Sequence, residues 1–372
     1  MLKYRLALCS NVFPSSTASE ALDNLDGPVE KVLKDLSFNI GYGVYLSHKA
    51  SQDFLQHRDL LEEYKDKLSS LNLAIFTANA FPMSDFHESR VKEKAFLPDW
   101  RSEERLFYTQ SVAKCLAFLG QEEQPLSIST CPIGYSSESV CNKSVENLKI
   151  IAQEFRDLEQ SKKIRIRLAL ESEPFSAFNS TVSLIRFLAK SLPNDLDYIG
   201  VCWDLCHSAV IGERYEEVLD VAKQHGVSIV KVQISSALKR HSPWCEHSIA
   251  DLRVLENGAY FHQTWCEEAE GFVRSYRDLD EYMLDIKEPF EEWRTHCHVP
   301  ICNQSYSNGW LATSWKEAVS AAREMGVVDF EVETYTLPSL KGVFRGDRGV
   351  EETLALEMEA AFSYLELDTQ GA

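Results

Sequence analysis

Eight short runs rich in Val, Ile and Leu, each followed by a stretch of helical period, constrain the fold of this chain more than any other feature. The runs are Arg5–Val12, Tyr42–Leu46, Leu73–Ala80, Leu126–Thr130, Ile164–Ser172, Tyr198–Asp204, Ile229–Ser235 and Asp329–Thr334. Most are apolar at nearly every position, as strands covered on both faces are. Between them, Ala18–Leu36, Ser51–Leu71, Arg101–Leu119, Val140–Leu158, Thr181–Ser191, Tyr215–His225 and Ser314–Met325 place apolar residues at helical spacing, and Glu351–Leu365 closes the chain. Gly226 and Gly326 supply helix stops, and Gly27-Pro28 reads as a new first turn inside the first helix. Strict alternation predicts a single (β/α)8 TIM barrel over residues 1–372, with an open doubly wound sheet as the alternative. Neither GxGxxG nor GxxxxGKS/T follows a strand, which removes the usual reason to prefer the open sheet.

Two segments are too long for simple connections, about 81–100 and about 236–313. Both follow a strand's C-terminal end, the face where barrel enzymes place their sites. The second contains a further apolar run, Arg294–Ile301, expected to form a ninth strand or an extension over the barrel mouth.

Charge narrows the partners. With 38 Lys+Arg against 57 Asp+Glu, the net charge of −19 opposes nucleic acid and anionic membrane surfaces. The short start Met1–Ser10 is interrupted by Lys3 and Arg5 and reads as a strand rather than a signal peptide, and no run is long enough for membrane insertion. Ten cysteines without CxxC spacing read as reduced thiols, so a cytoplasmic location is expected. The expected partner is a small-molecule metabolite, alongside pathway partner proteins.

The chemistry is written at the strand ends. Ile166–Glu173 ends with Glu171 and Glu173, Ile199–His207 with Asp204 and His207, Val230–Ser235 with Gln233 or Ser235, and Phe330–Tyr335 with Glu331 and Glu333. Ionised acids within apolar strands are costly without partners, and a bound divalent cation is the simplest remedy for several of them at one mouth. Carboxylates with one or two imidazoles suit Zn²⁺, Mn²⁺ or Fe²⁺, and a more oxygen-rich set suits Mg²⁺. Ligation by Cys202 or Cys206 is the alternative this pattern supports least. Singly, each acid also fits a solvated loop, and Asp204-x-x-His207 also fits a locally hydrogen-bonded turn.

The pattern LALESEP, VCWDLCH and VETY resembles the xylose-isomerase-like sugar isomerase/epimerase TIM barrels. More narrowly, SNVFP, FTANAFP, FHESRVKEKAFLPDWRSEERLFYT, SISTCP, KVQISSAL, FHQT, HCHVPI and VETYTLPSL resemble the EboE metabolite-traffic proteins, from about Tyr4 to Leu340. The broader resemblance implies a metal held by Glu, Asp, His and Glu from the last four strands. Glu171, Asp204 and Glu333 match, whereas the strand-seven His falls at Gln233. An amide is a poor ligand for a transition metal, so the expectation is that His298, from the long insertion, takes its place. His207 matches a position that meets substrate or metal.

Glu171, Glu333 and His207 are therefore the candidate catalytic residues, and Glu171, Asp204, His298 and Glu333 the candidate metal ligands. Candidate substrate contacts are Arg90 and Lys92 in the basic stretch Phe86–Lys94, together with Gln233 and His262. Trp100, Trp244, Trp265, Trp293 and Trp310 all fall on the insertions, which suggests an aromatic wall for an apolar or ring-shaped ligand, with packing of the insertions as the other explanation. Two functions follow. The narrower resemblance implies handling or transport of a small metabolite, a prenylated one included. The alternative is a divalent-metal-dependent isomerase/epimerase. A phosphodiesterase on the same barrel is disfavoured by charge and by too few strand-end histidines.

Overall fold

A computed structural model describes residues 4–84, 87, 91–120, 124–256, 260–286, 288–340 and 342–367. Eight parallel strands form a closed barrel: β1 (Arg5–Cys9), β2 (Gly41–Tyr45), β3 (Thr77–Asn79), β4 (Leu126–Thr130), β5 (Ile166–Glu171), β6 (Ile199–Asp204), β7 (Ile229–Ile234) and β13 (Asp329–Val332). Around the ring the order is β1-β13-β7-β6-β5-β4-β3-β2, so the last strand closes the barrel between the first and the seventh. The chain is thus an α/β TIM barrel, as its alternation predicts. Its strands are buried on both faces, and they share one continuous apolar core with the surrounding helices.

Local chemistry sets the helix ends. Ser102 caps Glu103–Leu119, with Glu103 and Glu104 in the first turn, and Ser180 and Ser183 form a reciprocal cap on Thr181–Ser191. Gly226 ends Tyr215–His225 in the left-handed conformation, at φ 65°. Three helical expectations change. The first helix does not restart at Gly27-Pro28: it runs from Ala18–Asn24 through a π-helical turn, Leu25–Val29, into Glu30–Lys34. The wider turn accommodates the proline, which lacks an amide hydrogen. Ser51–Leu71 is two helices, His48–Gln56 and Arg58–Ser70, separated at His57. A short helix, Leu205–Ile211, continues directly from β6 and was not anticipated.

The long insertion builds a second sheet. Strands β8 (Ala237–His241), β9 (Thr264–Glu268), β10 (Val273–Tyr276), β11 (Phe290–His298) and β12 (Leu311–Ala312) lie in the order β10-β9-β11-β8-β12, antiparallel throughout. The apolar run around 294–301 therefore becomes most of β11, the central strand. Trp244, Trp293 and Trp310 pack on one another with ring centroids 5.5–5.7 Å apart, and Tyr282 joins them. They are the insertion's own core, not the ligand wall suggested by their position in the sequence. No helix among the described residues is long and apolar enough to cross a membrane.

Candidate metal centre

Parallel pairing brings the ends of β5, β6, β7 and β13 side by side, with Glu171 opposite Cys202, Asp204 opposite Gln233 and Glu331 opposite Gln233. Glu171 and Asp204 end their strands, and Glu333 follows directly on β13. All three are buried, and each presents a carboxylate oxygen within 4.8 Å of the others.

Their hydrogen bonds leave specific lone pairs over. Asp204 Oδ1 accepts the His207 amide and the Ser235 hydroxyl, both at 2.9 Å, and so caps the helix Leu205–Ile211. Its other oxygen, Oδ2, has no partner. The local turn and the convergent acid are therefore the same residue, one oxygen serving each. Glu171 Oε1 lies 3.4 Å from His207 Nδ1, and its Oε2 has no partner. Glu333 is held differently, its Oε1 accepting from Asn11 Nδ2 at 2.5 Å and Asn79 Nδ2 at 3.3 Å.

His298 is the last residue of β11 and is fully buried. Its Nδ1 lies 2.9 Å from the Glu333 carbonyl oxygen, which can only accept. Nδ1 therefore carries the hydrogen and Nε2 is bare. That bare nitrogen has no partner and sits 3.9 Å from Asp204 Oδ2. Buried polar atoms are rarely orphaned, yet here Glu171 Oε2, Asp204 Oδ2 and His298 Nε2 are orphaned together, all of them electron-pair donors. A second interaction that orients an imidazole in this way is the usual support of a metal-binding histidine. The donor set fits a divalent cation.

Electrostatics agree. Burial, then Asp204 and Glu173, push Glu171 well above the ordinary carboxylate range; burial, then Glu171 and Asp204, do the same to Glu333. Burial also raises Asp204, yet this one acid is held low, the His207 amide donating to it.

Two further histidines flank the centre. His207 Nδ1 donates to the Ser172 carbonyl at 2.8 Å, and its Nε2 faces His296 Nε2 at 3.0 Å. Burial keeps both rings neutral, pushing His207 down to about 4 and His296 well below its ordinary value. His296 therefore supplies the hydrogen between them. Its Nδ1 is 2.6 Å from the Gln263 side-chain oxygen, and Gln263 in turn meets Glu173 at 3.2 Å. Reversing the Gln263 amide gives the His296 and Glu173 links one hydrogen each when Glu173 donates, at the cost of setting the amide oxygen against the Pro174 carbonyl, which Nε2 otherwise meets at 3.2 Å. Burial pushes Glu173 up to about 8, which keeps it protonated at neutral pH.

Above this floor opens a cavity of about 70 Å³. Glu171, Glu173, Glu333, His207 and His296 line its polar side, with Asn11 and Asn79; Phe81, Pro82, Val91, Phe96, Tyr260, Phe261 and Tyr335 form an aromatic and apolar cover. Tyr135 stacks on Phe261 at 5.6 Å, supporting that cover from behind. Lys92 lines the rim, where it is ion-paired to Asp278. Gln233 lies beneath the mouth, fully buried, its side-chain oxygen accepting from Cys202 Sγ at 3.1 Å and its Nε2 without a partner. His262 is buried and gives its backbone amide to Asp278 at 3.0 Å; neither it nor Gln233 lines the cavity. Arg90 lies outside the described residues.

Sequence reasoning did not single out Asn11 and Asn79. A signal was present: Asn11-Val-Phe-Pro14 and Asn79-Ala-Phe-Pro82 repeat one pattern at two strand ends.

No protein-family model matches the chain, and no curated protein matches it. Solved structures do. A putative sugar phosphate isomerase/epimerase from Anabaena variabilis aligns at a TM-score of 0.53 with 13% identity, over 98% of this chain and 99% of the other. A D-allulose 3-epimerase from Methylomonas sp. gives 0.52 with 11% identity over 98% and 99%. The IOLI protein, solved with a zinc atom, gives 0.51 with 13% identity over 98% of both chains. At such identities the likeness shows the fold alone. It meets the broader resemblance seen in the sequence, to the xylose-isomerase-like isomerase/epimerase barrels, at that level; nothing in these comparisons supports the narrower one, to the EboE proteins.

Proposed function

We propose that the chain is a divalent-metal-dependent isomerase or epimerase acting on a small polyhydroxylated carbonyl compound. The observation that carries this reading is the convergence of Glu171, Asp204 and Glu333 within 4.8 Å, with the bare Nε2 of His298 3.9 Å from Asp204 Oδ2. Glu171, Asp204, His298 and Glu333 would hold the ion, with His207 beside it. Zinc, manganese, iron and magnesium all suit a set of three oxygens and one nitrogen. The sugar-epimerase names of the structural neighbours, and the zinc of one of them, point the same way. Such an ion polarises a carbonyl and an adjacent hydroxyl, acidifying the carbon between them.

The chain's own residues divide the remaining work. Glu333, clamped by two amides, is the fixed carboxylate. Glu171 would give one carboxylate oxygen to the ion and use the other to take a proton from the substrate carbon and return it. His207 lines the cavity as a contact for a substrate hydroxyl. The cavity has room for on the order of five waters, which matches a small polyol. Its aromatic cover keeps bulk water from the reacting carbon.

Metal-loaded protein is mixed with a panel of aldoses and ketoses in heavy water and followed by proton magnetic resonance. Deuterium is expected at a carbon next to the carbonyl, together with an epimer or isomer. Glu171→Gln should slow this by about 10²–10⁴-fold. A second reading, binding without turnover as the metabolite-traffic resemblance implies, is favoured by the aromatic cover and by Gln233 on β7. Saturable binding of a small metabolite with no exchange on any sugar would select it.

A further inference from the structure

Behind His298 a different set of donors is assembled. Cys206 and His296 each place a ligating atom within 4.8 Å of the other and of His298, and all three residues are buried. The carboxylate group and this thiol–imidazole group both contain His298 if the reading above is right. Since His298 Nδ1 is committed to the Glu333 carbonyl, the residue has a single lone pair to give, at Nε2, and that atom is buried without a partner. One lone pair serves one ion.

We propose that Cys206, His296 and His298 form a second metal position, selective for thiophilic ions of the zinc class, which competes with the carboxylate position for His298. The site itself stands on its own atoms; its competitive role rests on the carboxylate reading. A thiolate with two imidazoles suits zinc, with bonds of about 2.3 Å to sulfur and about 2.0–2.1 Å to nitrogen and a fourth position left open. Three carboxylates with one imidazole suit harder ions such as manganese or magnesium. Binding at the second position forms a metal–sulfur bond as the Cys206 thiol releases its proton to solvent, with no change of oxidation state.

The surroundings fix both positions relative to each other. Ser235 Oγ accepts the Cys206 amide at 2.8 Å and donates to Asp204 Oδ1 at 2.9 Å, so one hydroxyl ties the thiol-bearing turn to the carboxylate. Val210, Ala237 and Trp265 pack around Cys206. Opposing occupancy is the contact between His296 and His207, which ligation by that nitrogen would break. The second position therefore fills only when a thiophilic ion is supplied in excess, and filling it removes His298 from the first.

Cobalt(II) is the probe, titrated into the metal-free full chain. Wild type should show thiolate-to-cobalt charge-transfer absorption; Cys206→Ser and Cys206→Ala, checked for folding by circular dichroism, should lose it. The band should persist in Glu171→Gln/Glu333→Gln, in which the carboxylate position is disabled. Saturating manganese should raise the cobalt needed for half the band by at least about tenfold in wild type and leave the double variant unchanged. No band in wild type, or a band that survives loss of Cys206, overturns the site. A band indifferent to manganese overturns the competition. A thiolate band in a protein that binds no manganese instead sinks the carboxylate reading and leaves this site standing.

Discussion

Glu331 and Glu333 are two residues apart at the end of the same strand, yet they belong to opposite kinds of polar cluster. Glu331 is neutralised from within: Lys231 pairs with it, both are fully buried, and Lys231 also meets Thr77 Oγ1 at 3.1 Å, which bonds Ser127 at 2.9 Å. Burial alone would discharge Lys231, but Glu331 outweighs burial and keeps it cationic. The barrel even makes room for this acid, since a Cβ on Gly43 would fall 1.7 Å from Glu331 Oε1. At the mouth, Glu171, Asp204 and Glu333 meet neutral imidazoles, and the orphaned atoms are all electron-pair donors. The first layer carries its own cation, although Glu331 Oε1 too has no hydrogen-bond partner, whereas the mouth is built to take its cation from outside.

The largest expected effect is on the layer that carries its own cation. Lys231→Met strands a buried carboxylate and should cost about 3–5 kcal/mol in urea unfolding, identically with and without metal. A loss below about 1 kcal/mol would erase the distinction between the layers. Next is Glu333→Gln, whose amide oxygen can still accept from Asn11 and Asn79. It should leave the metal-free protein as stable as wild type or more so, while abolishing a metal-dependent gain of about 3 kcal/mol at a hundredfold excess over Kd.

Acidity separates the layers more finely. Glu171 and Glu333 have native pKa values raised above 4.5, so the native metal-free state binds protons more tightly than the unfolded state. Its stability is therefore greatest below pH 4.5 from these groups and is lost as pH climbs through their native values, by at most about 1.4 kcal/mol per pH unit for each group. Saturating metal should remove that downward slope. Thermal melts at several pH values, with metal and with EDTA, check it. The smallest effect is a rescue. His298→Ala should weaken metal binding by at least about tenfold, or about 1.4 kcal/mol, and adding Gln233→His should restore it. Titration calorimetry reads both, and failure to restore would mean that position 233 cannot reach the ion.

How much of this was written in the sequence depends on how local each signal is. The barrel was legible because its strands are apolar at almost every position and its helices are not. Glu171, Asp204 and Glu333 stood out as charges at the ends of such strands, and they do meet. Lys231 did not stand out, because its partner lies 100 residues away and a lysine in an apolar run reads as an edge. Asn11 and Asn79 carry no charge, so nothing but their shared Asn-x-Phe-Pro context marked them. The tryptophans misled for a related reason: their abundance on the insertions could not say which face of a new sheet they would fill. The helix Leu205–Ile211 was hidden because it leaves β6 with no linker between, its cap being Asp204 itself.

Metal content and melting temperature, measured together on wild type and on Asp204→Asn, test the central claim most directly. Wild type purified in metal-replete buffer should hold at least about one divalent ion per chain, and EDTA should lower its Tm by roughly 3–5 °C. Asp204→Asn should hold none and show no response to EDTA. A wild-type protein that carries no ion and melts at the same temperature with and without EDTA would contradict the claim that the mouth of this barrel is built around a metal.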